Sequence, residues 1–372
     1  MSKPIRILFL ETILDRGGAE AMTMNYYRSI DRNLFQFDFL VHREQKGAYE
    51  DEITKLGGKI YRICPPYPQN YFRYMRTINH FFKSHPEYKI IHNNMTETGL
   101  FAFKAAKKSN IPIRICHAHT AHFNSKPSLK KLVLNIYNRA IKKYTTHRFA
   151  CGELAAKYVF GDTKNVYIMD NAIDCESFRI SSSLNTSMRI KYSLDENDIV
   201  IGHVGRFSEP KNHIFLINFF KKLASMNKRV KLLLVGDGEK REEIERYVRR
   251  CSLSQKVVFV GSIGNVNEIM QCFDIFVLPS LWEGFPVALV EAQASGLPCF
   301  VSDKISNECI ITNNVTVLSL DDVDNWAKTI NENISIGKDF FANDAVIKAG
   351  FDIKTNAKKL EDFYRECLKN NN

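Results

Sequence analysis

Asp274-Ile-Phe-Val-Leu278, then Pro-Ser-Leu-Trp-Glu283-Gly284-Phe285-Pro286, then Val-Ala-Leu-Val-Glu291-Ala-Gln-Ala-Ser-Gly296-Leu, and finally Pro298-Cys-Phe-Val301 hold a whole folding unit in one stretch of chain. Asp274 to Leu278 is a short apolar run of strand length. A Gly/Pro loop follows, and Pro286 is preset for the first position of a helix. The run at Pro298 to Val301 is a second strand. Strand, crossover helix and strand again is the repeating piece of a parallel sheet. The same rhythm extends upstream through strands at Ile199 to Val204, Lys231 to Val235 and Val257 to Val260. It also fills the first half, at Ile5 to Leu10, Phe37 to Val41, Lys59 to Ile63, Lys89 to His92, Ile113 to Cys116 and His147 to Ala150. The expected fold class is α/β with two Rossmann-like domains, residues 1–180 and 181–350. The polar stretch Ser181 to Ser187, where strand and helix signals lapse, is the expected linker. Residues 351–372 close the chain, with a helix over Thr355 to Leu368.

The 372 residues are 45% hydrophobic and 25% charged, which excludes a disordered, collagen-like or coiled-coil chain and fits two domains of about 150 residues. No apolar run reaches the roughly 18 residues of a spanning helix, and Met1-Ser-Lys leads into the first strand without a signal-peptide layout. A cytoplasmic protein is expected. The nine cysteines are scattered without a CxxC pair, so they read as core filler rather than as a disulfide framework or zinc site. Net charge is +11 and lies on one side of the chain: residues 1–180 carry 28 Lys+Arg against 16 Asp+Glu, residues 181–372 carry 24 against 25. An anionic partner for the first half is implied: nucleic acid, an acidic membrane surface or a phosphorylated substrate.

Ligands of wound parallel sheets sit beyond the carboxyl ends of the strands, which directs attention to the turns. After Val204, Arg206 and Lys211 place two cations at one sheet edge. They form either a pyrophosphate clamp or two solvated charges. Gly236 sits in a tight turn where backbone can approach a ligand, and Gly261-Ser262-Ile263 is a weaker turn of the same kind. Glu283 in the loop and Glu291 on the helix are carboxylates suited to vicinal diols, so that one could hold a sugar and the other a ribose; alone, each also reads as an ordinary helix-end or surface residue. Gly17-Gly18 after the first strand allow close approach to a sugar phosphate, or simply make a turn. His117, His119 and His122 cluster past another strand end; two-residue spacing puts His117 and His119 on one face. No metal companion is obvious near them. The only DxD, Asp322-Val-Asp324, reads as a helix start.

The spacing Glu283-x7-Glu291, with Gly205-Arg206-Phe-Ser-Glu-Pro-Lys211-Asn upstream, Glu291-Ala-Gln-Ala-Ser-Gly-Leu-Pro downstream, Gly17-Gly18 and Asp170-Asn171-Ala172-Ile173-Asp174, resembles retaining glycosyltransferase family 4. Ala172 stands where that family usually has Gly. The likeness covers nearly the whole chain and is greatest to bacterial enzymes of capsular and exopolysaccharide synthesis. It implies a GT-B fold, two Rossmann-like domains facing across a cleft with a C-terminal helix crossing back to the first domain. It also implies transfer of a sugar from a nucleotide-sugar donor, in our reading a UDP-sugar, to a saccharide or lipid-linked saccharide acceptor without a metal. By the same resemblance Arg206 and Lys211 neutralise the diphosphate, Glu291 binds ribose, Glu283 contacts the donor sugar, and Gly284, Phe285 and Pro286 shape the backbone cradle. The nucleobase lies near Gly236, Ser262 and Ile263, Gly17 and Gly18 line the opposite side, and His119, with His117 second, binds a sugar hydroxyl. Retention is attributed to same-face attack, with the departing diphosphate assisting deprotonation of the acceptor.

Two basic segments remain. Tyr71 to Lys83 mixes aromatics with cations, and Leu129 to Lys143 is a basic amphipathic helix. Each is either a contact for an anionic membrane surface or a core face with solvated lysines. Other classes fit less well: a nucleic-acid-binding protein leaves the paired glutamates unexplained, and a dinucleotide oxidoreductase lacks GxGxxG after the first strand. A nucleotide-sugar epimerase of the same fold is a further alternative.

Overall fold

The computed structural model describes residues 3–119 and 129–370. The chain divides into two compact units, one of residues 1–172 together with 353–372, the other of residues 173–352. The first is built on strands β1 (Ile5–Glu11), β2 (Phe35–Val41), β3 (Ile60–Arg62), β4 (Ile90–Asn93), β5 (Ile113–Ala118), β6 (His147–Ala150) and β7 (Val166–Ile168), in spatial order β3-β2-β1-β4-β5-β6-β7. The second has β8 (Ile199–Val204), β9 (Val230–Val235), β10 (Val257–Gly261), β11 (Ile275–Leu278), β12 (Cys299–Ser302) and β13 (Val315–Leu318), in order β10-β9-β8-β11-β12-β13. Every pairing is parallel.

Central strands are mainly apolar because both sheet faces are covered. In β1, Ile7 and Phe9 enter one core with Phe37, Ile115 and Leu360, while Leu8 and Leu10 enter the other with Ile91, Ala102 and Phe103. In the second sheet Val200, Leu233 and Phe276 face one layer; Ile201, Leu232 and Val277 face the other. Each such side chain contributes about 1.5–3 kcal/mol on burial, so slipping a strand by one residue would exchange two complete cores. None of the nine cysteines is in a disulfide among the described residues and seven are buried, as expected of core filler.

The expected linker is not one. Ser181 caps a helix, Ser182–Lys191, by accepting from the Leu184 amide, and Met188 buries on its inner side. A serine-rich run that looks like loop is here a capped amphipathic helix. The chain passes from the first unit to the second at Ala172-Ile173, both fully buried, and Ile173 pairs with Asp352 beside the return crossing. The final helix, Ile353–Lys369, belongs to the first unit and buries Leu360 and Tyr364 in the core of β1 and β2.

Candidate active site

The second sheet changes winding direction between β8 and β11, the position at which sheets of this kind bind their ligands. The Leu281 amide donates to the Pro210 carbonyl at 2.7 Å, tying the two loops together. Beside that tie Lys211 Nζ donates to Glu283 Oε1 at 2.5 Å, and Ser280 Oγ donates to the same oxygen at 2.9 Å. The Ser280 carbonyl accepts from Ser302 Oγ at the end of β12. Glu283 is therefore anchored through one oxygen, and its Oε2 has no partner among the described residues. The ion pair keeps 17% and 15% of its side-chain surface, so salt screens it less than a surface pair.

Glu291 lies on the helix Val287–Ala294, half-buried and without a hydrogen-bond or ion-pair partner among the described residues. Burial raises its carboxyl to about 7. An unpaired buried polar group costs on the order of 1–3 kcal/mol, which a ligand bearing hydroxyl donors would recover. Arg206 is placed differently from Lys211. Its side chain is 72% exposed and paired with Glu239 at 3.1 Å, so the two cations read from the sequence as one clamp have separate partners. Exposed pairs of this kind contribute about 0–1 kcal/mol and exchange readily.

The glycines divide by physical cause. Gly236 has φ +135°, and a Cβ there would stand 2.0 Å from the Gly205 carbonyl oxygen, so the contact that demands glycine is with the neighbouring turn rather than with a ligand. The Gly236 amide in turn donates to the Gly261 carbonyl, which sets Ser262 and Ile263 next in the row of strand-end turns. Around Gly284 a Cβ would meet nothing within 4 Å. Phe285 stacks on Phe351 with centroids 5.5 Å apart, and Pro286 is the N-cap residue, one place before the helical position expected for it. Asp322 of the DxD accepts from the Asn325 amide, capping the helix Val323–Glu332.

His203 was not read from the sequence as part of this region. It is fully buried on β8, its Nδ1 donates to the Val277 carbonyl at 2.9 Å, and its Nε2 has no partner among the described residues. Burial lowers it to about 4, so the ring is neutral at physiological pH.

In the first unit Gly17 and Gly18 open the helix Gly18–Ser29 with ordinary φ values. A Cβ on Gly18 would meet nothing within 4 Å, and one on Gly17 would meet only the flexible Glu20 carboxylate. His117 and His119 share a face as the two-residue spacing requires, their rings 4.0 Å apart. His117 is fully buried and bonds His92 Nε2 through Nδ1 at 3.1 Å, with Tyr364 beyond, so it stands behind the half-buried His119. His119 Nε2 lies 3.1 Å from Asn94 Oδ1. His122 falls outside the described residues. Neither Asn94 nor its partner Glu11 was singled out in the sequence, where no motif joins positions 83 residues apart.

Residues 185–342 match the family described as glycosyl transferases group 1. The glycosyltransferase EpsF of Bacillus subtilis (strain 168) is 35% identical over 369 residues, covering 96% of each chain. The chain belongs to the group 1 glycosyltransferases. An Escherichia coli UDP-Gal:alpha-D-GlcNAc-diphosphoundecaprenol alpha-1,3-galactosyltransferase is 27% identical over 303 residues, covering 76% of this chain and 77% of that one. Among solved structures, Anabaena Alr3699/HepE in complex with UDP and glucose superposes with TM-score 0.80 at 19% identity, over 97% of this chain and 100% of that chain. The fold is thus GT-B, and the protein is a glycosyltransferase rather than an epimerase or a nucleic-acid-binding protein.

Proposed function

We propose that this glycosyltransferase moves a sugar, with retention of anomeric configuration, from a UDP-sugar to a lipid-linked saccharide during assembly of a capsular or exopolysaccharide. The observation that carries the reading is the Lys211–Glu283–Ser280 cluster at the β8/β11 switch point, beside the unpartnered Glu291. Lys211 exchanges Glu283 for the donor diphosphate, and Arg206 leaves Glu239 to join it. Glu291 receives the ribose hydroxyls and Glu283 a hydroxyl of the transferred sugar. The turns at Gly236, Ser262 and Ile263 accommodate the base, and the backbone at Gly284, Phe285 and Pro286 lies along the phosphates. His119 of the first unit accepts a sugar hydroxyl, supported from behind by His117, and the open space at Gly18, next to Gly17, admits a bulky ligand. Negative charge grows on the diphosphate as the glycosidic bond breaks, so a cation placed there lowers the barrier by about 2–4 kcal/mol.

Relatives named for capsule and amylovoran synthesis, and one named for a diphosphoundecaprenol substrate, support the lipid-linked acceptor. Among the described residues no helix is long and apolar enough to cross a membrane. Peripheral contact is supported by one of the two basic segments. The helix Tyr71–Ser84 buries Tyr74, Ile78, Phe81 and Phe82, the pattern of a core face. The helix Leu129–Ile141 instead leaves Leu132, Val133 and Ile136 exposed at 58%, 40% and 54%, beside the exposed Arg139. An apolar stripe flanked by cations suits an anionic leaflet.

The test is incubation of radiolabelled UDP-sugars with a polyprenyl-diphosphate saccharide, followed by NMR of the product's anomeric centre. Transfer with the donor's configuration kept is the expected outcome; inversion would remove the retaining assignment, and the absence of transfer from any UDP-sugar would remove the donor.

A further inference from the structure

We propose that Asn94 is a positioning residue that fixes His119 with Nε2 protonated and Nδ1 as a bare acceptor, so that the group His119 receives is a hydroxyl and not a phosphate or carbonyl oxygen. The proposal rests on the reading of His119 as a sugar contact, and concerns how that contact is made selective.

The argument begins at Thr23, buried on the helix Gly18–Ser29. Its hydroxyl lies 3.0 Å from the Ala19 carbonyl and also bonds the Glu11 carboxyl, so its one proton goes to one of these two acceptors and Asn94 is offered only lone pairs. Asn94 meets Thr23 Oγ1 at 2.8 Å through Nδ2, and the same nitrogen donates to Glu11 Oε1 at 2.6 Å. Glu11 is 3% exposed, and burial together with the neighbouring Glu20 raises its carboxyl. That protonation does not decide the orientation, because Thr23 requires the nitrogen side of the amide in either state. Asn94 Oδ1 is left pointing at His119 Nε2, 3.1 Å away. A carbonyl oxygen only accepts, so His119 must donate there.

Burial lowers His119 to about 3, which leaves the ring one proton, and Nε2 holds it. Nδ1 is then a lone pair on a ring whose plane is set by the His117 ring, 4.0 Å behind, itself held by His92. A sugar hydroxyl donates into such an atom, whereas a phosphate oxygen meets it lone pair to lone pair. Glu11 ends β1 and Asn94 follows β4, so this network sits at the switch point of the first sheet.

The experiment is nitrogen-15 NMR of the histidine-labelled, ligand-free protein, with the His119→Gln variant assigning the resonance. The expected spectrum shows His119 protonated at Nε2. Asn94→Ala should give a mixture of tautomers and lower kcat/KM by about 10-fold to 100-fold, with UDP affinity unchanged. Glu11→Gln, whose side-chain oxygen still accepts from Asn94, should keep the tautomer. Should Asn94→Ala fail to fold, Thr23→Val frees the amide to turn over and carries the same expectation. An Nδ1-protonated His119 in the unmodified protein, or an unmoved tautomer in both variants, overturns the proposal. The spectrum needs no donor or acceptor, so failure here is separate from failure of the UDP-sugar transfer assay.

Discussion

In both sheets the strand that begins the winding borders the strand that reverses it, β1 beside β4 and β8 beside β11, and in both a side chain from one side meets a side chain from the other. At β8/β11 the pair is Lys211 and Glu283, charged and part-exposed. At β1/β4 it is Glu11 and Asn94, enclosed with Thr23 and His119. An ion pair that still touches water can trade its partner for an incoming diphosphate, because the lysine keeps a counter-charge throughout the exchange. A buried amide network is not readily traded, because its enclosed polar atoms would lose partners that water cannot replace, so it serves to hold a neighbouring ring in one state. The same topological position thus supports a replaceable contact in one unit and a fixed one in the other. The long-range charge points the same way: residues 181–372 are nearly neutral, so recognition there depends on where a few cations stand rather than on a broad field.

The glycines provide the largest expected contrast. Gly236→Ala forces a Cβ against the Gly205 carbonyl at a positive φ and should destabilise the second unit by about 3 kcal/mol or more, read by chemical denaturation. Gly18→Ala meets open space and should leave stability within about 1 kcal/mol, so any loss of transfer in that variant is a loss of ligand access. Equal destabilisation in the two would erase the distinction between a glycine the fold demands and one it does not. Next, Lys211→Ala should reduce kcat by about 30-fold to 1,000-fold, the equivalent of 2–4 kcal/mol of barrier.

Glu291→Gln separates function from stability. The folded carboxyl is raised to about 7 from 4.5, so the folded state retains a proton that the unfolded chain has lost between those values. Stability therefore falls as pH rises through that window, and the loss is complete above it. The glutamine variant should melt higher at pH 8 by about 1–3 kcal/mol of stability, with no difference at pH 4, while binding donor more weakly. A variant less stable at pH 8 would show that Glu291 has a partner in the folded state. The smallest effect belongs to Glu239→Gln, which releases Arg206 and should tighten UDP about 2-fold to 5-fold at low salt, less at high salt.

The central strands were legible because double-sided burial makes them mainly apolar, and β1, β6, β8 and β11 fall within a residue or two of their sequence-derived limits. β7 and β13 escaped notice. Both are edge strands, and Ile168, Thr316 and Val317 remain exposed, so neither carries the pattern of a covered strand. Lys211 and Glu283 could be singled out because they lie in turns of recognisable type, and Glu291 because it follows on the helix that leaves one of them. Their pairing could not, since Lys211 and Glu283 stand 72 residues apart and meet only through the strand order. Asn94 was hidden for the same reason: its meaning lies in Thr23 and Glu11, which parallel winding brings beside it. The backbone contact that demands glycine at 236 was hidden because a tight turn looks alike whether a ligand or a second backbone presses on it.

The most direct measurement is calorimetric titration of UDP into the unmodified protein, Lys211→Ala and Asn94→Ala. If the β8/β11 switch point holds the nucleotide, Lys211→Ala weakens binding by about tenfold or more, and Asn94→Ala binds UDP as the parent does. Undiminished affinity in Lys211→Ala would contradict the placement of the diphosphate at that switch point.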